Sequence, residues 1–315
     1  MSSVDKKPTD ELLDKEARFW DLQEERIDDL YARPHDWRFI PKIADKVIKP
    51  KIRYLQRLIS RHKKEIGSIL DIGCGNGWFC HACAEAGIRA YGVDISPKKV
   101  ETAQRIAEEK GIADLCHFEA KDVMEVELPE KVDMLSAHGS LHHFPDLENQ
   151  LPEMVERFLS PDGYMLFVEP HHEGMPPNIQ DFIFKAASSK LFGRFFDKEF
   201  YLEVTGRSSL DEPEPEAPTE GDFNIRGESP AGLEFLGEEP DMGKILKDRY
   251  TIIEEKYFHY ASGHLTNAFY VYQKSKLTRG LWRLLLPWII WWDDRRCDKA
   301  EYNKYAEEGL WFLKR

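Results

Sequence analysis

Ser-Ile-Leu-Asp-Ile-Gly-Cys-Gly-Asn-Gly, residues 68–77, decides how this chain is read. A short apolar run ends in an acid, Asp71, and passes at once into three alternating glycines, Gly73, Gly75 and Gly77. Glycine adopts positive φ and carries no Cβ, so such a stretch turns sharply and lets a ligand touch the main chain. A dinucleotide fingerprint sets its pyrophosphate on the following helix and requires the spacing GxGxxG. Here Gly77 comes one residue early, Trp78 stands where the third glycine belongs, and Asp71 would repel a phosphate. A carboxylate beside open backbone amides suits a zwitterion bearing an ammonium group.

A ligand gripped at that turn continues over the tips of the neighbouring strands, whose order can be followed along the chain. Residues 78–86 carry Trp78, Phe79, Ala82 and Ala86 at helical spacing and stop at Gly87. Residues 89–93 form a second apolar run closed by Asp94, 23 residues after Asp71, the spacing of a carboxylate that holds ribose hydroxyls. Ser96 and Pro97 then open a helix with the buried stripe Val100, Ala103, Ile106 and Ala107. A third strand at 115–120 leads into Asp122, and a fourth at 132–137 leads into His138 and the segment Leu141, His142, His143. A fifth at 164–168, introduced by a turn at 160–163, ends in Glu169. Helices alternating with five strands imply a parallel sheet with right-handed crossovers, and ligands on such sheets bind at the carboxyl ends. Asp71, Asp94, Asp122, His138 and Glu169 all fall at those ends.

Together these segments resemble the motifs of class I S-adenosylmethionine-dependent methyltransferases, closely over 64–170 and loosely over 250–274. The resemblance implies an α/β fold, a doubly wound and mostly parallel seven-stranded sheet. Its sixth strand is expected at 250–258 and its seventh at 268–272, antiparallel to the sixth. It implies S-adenosyl-L-methionine as cofactor, held by Asp71, Gly73, Cys74, Gly75, Asp94, Ile95, Asp122, Val123 and His138. Around the core the expected organisation is a helical arm at 1–63, the cofactor-binding core at 64–170 and an insertion at 171–249. Residues 250–274 complete the sheet, and 275–315 form an aromatic tail. The arm reads as helices at 12–30 and 43–66, with Tyr31, Trp37 and Arg38 as candidate lid residues. Within the insertion, 179–196 is apolar and helix-like, while 208–222 is acidic, almost without apolar content, and expected to be mobile.

Composition narrows the partners. The chain has 315 residues, 42% of them hydrophobic, enough for a sizeable core, and a net charge of −13 that disfavours nucleic acid. Five cysteines, an odd number, give no disulfide framework, and the first thirty residues lack a signal-peptide core, so the expected location is the cytoplasm. Residues 284–292 are uncharged and rich in Leu and Trp, yet a helix of that length is only about 14 Å long against roughly 30 Å of hydrocarbon. Two readings stay open for 277–292: packing within the fold or against a second subunit in a homodimer, or peripheral contact with a membrane surface.

Methyl transfer from a sulfonium needs alignment above all, and a hydroxyl acceptor also benefits from a base. His143 and His171 are the candidate bases, with His142 and His172 beside them; no metal is expected. The Phe- and Trp-rich insertion and tail point to a small, apolar or lipid-linked acceptor. A catalytically silent scaffold on the same fold, membrane-associated or not, is the alternative.

Overall fold

The computed structural model describes residues 10–144, 146–171, 175–205, 208–209 and 242–315. His172 and residues 210–222 of the acidic stretch lie outside them. Four helices precede the sheet: α1 (Asp10–Glu25), α2 (Ile27–Ala32), α3 (Pro41–Val47) and α4 (Lys49–His62). The two expected arm helices are thus each divided, the second where Pro50 enters the first turn of α4. The core then alternates β1 (Ser68–Ile72), α5 (Trp78–Glu85), β2 (Arg89–Asp94), α6 (Pro97–Glu109), β3 (Cys116–Ala120), β4 (Val132–His138), α7 (Leu147–Phe158) and β5 (Leu159–Pro170).

One expected helix is absent. The link from β3 to β4 carries a 3-10 turn, Val123–Glu125, capped by the Asp122 carboxylate on Met124 N at 3.0 Å. Residues 121–131 carry four acids among few apolar positions, and Pro129 interrupts them. The expected turn at 160–163 is a bulge within β5: Val132 pairs with Leu159 and Met134 already with Tyr164.

After β5 come α8 (Pro177–Ser188), α9 (Lys198–Thr205), α10 (Met242–Lys247), β6 (Thr251–Phe258), α11 (Ser262–Thr266), α12 (Lys276–Cys297), α13 (Ala300–Asn303) and β7 (Glu308–Lys314). The seven-stranded sheet has the order β3-β2-β1-β4-β5-β7-β6, with β7 antiparallel to both neighbours. The seventh strand is therefore not at 268–272, where Asn267–Val271 forms a π-helical turn after α11. A short apolar run suits a strand or a buried helix equally, and periodicity does not separate them. The chain's last residues supply the strand instead. Leu310, Trp311, Phe312 and Leu313 are fully buried between β5 and β6, the continuous apolar run of a strand covered on both faces. The tail is accordingly not one unit, since its end lies inside the sheet.

Both faces of the sheet are packed. Leu70, Ile72, Leu135, Ala137, Phe167 and Trp311 meet α7 and α10; Ile69, Met134, Leu166, Val168 and Phe312 meet α4 and α5. A third cluster joins the arm to the segments beyond β5, through Trp37, Ile43, Val47, Ile179, Phe196, Tyr260, Trp282 and Leu286. This aromatic cap carries few residues of the sheet.

Candidate functional site

The three loop glycines all take left-handed backbone, with φ of 65°, 52° and 74° at Gly73, Gly75 and Gly77. Two of them answer to different needs. A Cβ on Gly73 would stand 2.4 Å from Ser140 Cβ, so the tips of β1 and β4 can approach only over glycine. A Cβ on Gly75 would meet nothing within 4 Å, which means that the apex of the loop borders open space. The loop is tied to β2: Cys74 N donates to Val93 O, and Gly75 N to Asp94 Oδ2, both at 2.9 Å. Asp94 Oδ1 also accepts from Ser96 N at 2.9 Å, beside the half-buried Ile95. Val123 is buried behind Asp122.

Asp71 does not face that opening. It shares the side of the sheet covered by α5, is 2% exposed, and accepts from Ser136 Oγ at 2.7 Å, with the Cys80 thiol also against it. Burial pushes its carboxyl up to about 7, against the pull of Ser136 and Cys80. Between about 3.8 and about 7 the folded chain therefore keeps a proton that the unfolded chain has released, and this group's contribution to stability falls as pH rises. Urea unfolding of wild type and Asp71→Asn should show wild type losing ground to the variant across that window. Parallel pH profiles would mean an ionised, well-solvated Asp71.

His138, at the tip of β4, packs its ring against Phe79 at 4.2 Å and Trp78 at 4.9 Å. Both ring nitrogens are out of solvent without a hydrogen-bond partner, and burial pushes the imidazole down to about 3, so it is neutral at pH 7. An orphaned polar ring and an open glycine apex at adjoining strand tips fit a bound group with both apolar and polar parts.

Helix α1 lies across these tips. Asp21 accepts from Ser96 Oγ at 2.6 Å and Lys98 N at 3.1 Å; Glu24 accepts from Thr102 Oγ1 at 2.9 Å and Asn76 Nδ2 at 3.2 Å. Trp20 stands 3.9 Å above the Lys99 ammonium and edge-on to His143, and its Nε1 donates to the buried Glu16 at 2.8 Å. The expected lid residues are elsewhere. Trp37 is buried in the aromatic cap, Tyr31 is exposed, and Arg38 pairs with Asp36 and Glu307.

The two candidate bases, His143 and His171, are not brought together, although the rings of His142 and His143 are 4.0 Å apart. His143 sits under Trp20 with Glu16 at 3.5 Å, and burial, then His142 and Lys99, push it down to about 3. His171 packs on Tyr257 and Trp311, on the opposite side of the sheet from His138. His142 has the more telling neighbour. Its Nδ1 is 2.8 Å from Oε2 of the fully buried Glu169, whose other oxygen accepts from Ser140 N and Leu141 N. If Nδ1 donates there, the basic lone pair lies on Nε2.

Sequence reading missed a polar group on the α4 side of the tips. Lys51 Nζ bonds both oxygens of Glu308 at 2.7 Å, and the 94%-buried His259 lies 3.5 Å from the same carboxylate. Its members come from three distant segments, so only His259's left-handed φ of 63° marks the place locally.

Residues 63–199 match a family described as a methyltransferase domain. This core is a class I methyltransferase domain. The cofactor of that family is S-adenosylmethionine. Among curated proteins, norajmaline N-methyltransferase of Rauvolfia serpentina is 30% identical over 121 residues, 37% of this chain and 40% of that protein. A ubiquinone biosynthesis O-methyltransferase of Actinobacillus pleuropneumoniae is 31% identical over 103 residues, 31% of this chain and 44% of that protein. The methyltransferase domain thus aligns with less than half the length of these relatives. A SAM-dependent methyltransferase from Geobacter sulfurreducens, solved with S-adenosyl-L-homocysteine, overlays with a TM-score of 0.41 at 18% identity, over 82% of this chain and 89% of that one.

Proposed function

We propose that the chain methylates a small, apolar or lipid-linked molecule, using S-adenosylmethionine. The observation that carries this reading is the loop: three left-handed glycines with an open apex, bonded to the acid that closes β2. Gly73, Cys74 and Gly75 would present backbone to the amino-acid end of the cofactor, Asp94 and Ile95 would hold its ribose, and Asp122 and Val123 its base. His138 would border the sulfur. Asp71, enclosed by Ser136 and Cys80, would act as a positioning residue behind the loop instead of touching the ligand. Once bound, the sulfonium supplies an activated methyl group, and alignment is the remaining task.

For a hydroxyl acceptor, His142 is better placed as the proton-holding group than His143 or His171. Glu169 orients its ring and would stabilise the imidazolium, whereas burial keeps His143 weakly basic. Helix α1 would close over the tips and exclude water. Support for a small acceptor comes from the relatives, whose names specify norajmaline N-methylation and O-methylation in ubiquinone biosynthesis. The aromatic cap supports its apolar character.

The test is transfer of labelled methyl from S-adenosylmethionine into fractionated cell extract. His142→Asn should lower kcat by about 10²- to 10⁴-fold and leave S-adenosylhomocysteine binding unchanged. Equal turnover by the variant removes His142 from the proton path. The second reading, a silent binding protein, is favoured by α1 spanning the tips through four side chains; cofactor binding with no label transferred to any fraction would establish it.

A further inference from the structure

Helix α12 buries one side and leaves the other bare. Trp282, Leu286, Asp293 and Cys297 are buried against the cap, while Leu277, Leu281, Leu284, Leu285, Trp288 and Trp291 are exposed, Leu284 by 74% and Trp288 by 71%. The exposed six recur every three or four residues, so they form one stripe, about 21 Å long at 1.5 Å per residue. Two more exposed aromatic rings join α12 through its buried side. Exposed Phe182 and Phe192 both contact the Phe269 ring, at 5.8 and 5.9 Å, and Phe269 stacks on Trp282 of α12 at 5.4 Å. A soluble surface rarely leaves so long an apolar strip uncovered.

The charges that α12 carries beside the strip are mostly basic. Both acids of α12 have partners within the fold: Asp293 is buried and accepts from Ala261 N at 2.7 Å, and the partly exposed Asp294 pairs with Lys256 at 3.3 Å. The cations stay alongside, with Arg295 over the Trp291 ring at 4.4 Å and Arg283 over Tyr270 at 5.7 Å. The exposed Lys276, Arg279, Arg283 and Arg295 thus give this helix a basic rim on a chain whose net charge is −13. Tryptophan settles at the boundary between headgroups and acyl chains, and basic side chains reach anionic headgroups from there. A second copy would set this basic rim against itself in a symmetric pair.

We propose that the exposed face of α12, with Phe182 and Phe192, lies in the interfacial layer of an anionic lipid bilayer. The helix lies along the surface; among the described residues no helix is long and apolar enough to cross a membrane. Since α8, α11 and α12 share the core of the aromatic cap, docking places the cap against lipid. This gives the apolar-acceptor reading a delivery route, but the binding itself does not depend on methyl transfer.

The experiment is co-sedimentation of the full chain with phosphatidylcholine–phosphatidylserine vesicles and with phosphatidylcholine alone, at low and high salt. The double variant Leu284→Glu/Trp288→Glu is compared, with its circular dichroism melt as a folding control independent of cofactor. Wild type should pellet with the anionic vesicles, less so in high salt, and the double variant should bind at least about tenfold more weakly, given two large side chains withdrawn from lipid. Wild type remaining in solution at low salt, or equal pelleting of both, overturns the proposal. So does a wild-type dimer that the double variant converts to monomer without any vesicle binding. Vesicle binding by a chain that fails to bind S-adenosylhomocysteine leaves this inference standing and removes the methyl-transfer reading.

Discussion

Replacing Asp94 with alanine is expected to weaken S-adenosylhomocysteine binding by roughly 10- to 150-fold, the 1.5–3 kcal/mol of a hydrogen bond to a charged group. The carboxylate has two tasks. It already holds Gly75 N and Ser96 N, which fixes the glycine loop against the end of β2, and it is the acid proposed to receive the ribose hydroxyls. Asp94→Asn keeps an acceptor oxygen but loses the charge, so its effect should be smaller and its fold intact. Calorimetry on both variants separates the tasks: a loop defect alone would also lower the melting temperature. An unchanged dissociation constant in Asp94→Ala would reduce this residue to a turn-former.

Trp311→Ala is expected to destabilise the chain by about 3–5 kcal/mol, the cost of emptying a large aromatic site in a packed core. Trp311 is fully buried on β7, between β5 and β6, and its Nε1 donates to Glu255 Oε1 at 3.1 Å. Removing the chain from residue 298 onward would leave β5 and β6 without the strand between them, so that truncation should fail to fold. Urea unfolding of Trp311→Ala gives the number. A loss below about 1 kcal/mol, the centre of the range for point substitutions of all kinds, would contradict a central β7.

Much of the fold was legible because its signals are local. Asp71 to Gly77, Asp94 before Ser96, and Asp122 before Val123 each mark a strand end by residues a few positions apart, and the structure places five parallel strands accordingly. What failed to show depends on distance. Whether Ala268 to Tyr272 or Leu310 to Leu313 enters the sheet turns on which edge of β5 is available, not on either run's own pattern. Asp71 reads as a tip residue, but strand alternation turns its side chain under α5, toward Ser136. In the arm, Asp21 and Glu24 look like a solvated helix face; their partners Ser96 and Thr102 lie more than seventy residues away. The same holds for Lys51 and Glu308, paired across 257 positions. Between the two adjacent histidines, only the three-dimensional position of Glu169 singles out His142.

The central claim is that a sulfonium nucleoside, and not a dinucleotide, lies over the tips of β1 to β4. Titrating the full chain with S-adenosylhomocysteine and separately with NAD, by calorimetry, tests it most directly. One saturable site for S-adenosylhomocysteine and no measurable heat with NAD is the result expected. Binding of NAD in preference, or of neither ligand, would contradict the account.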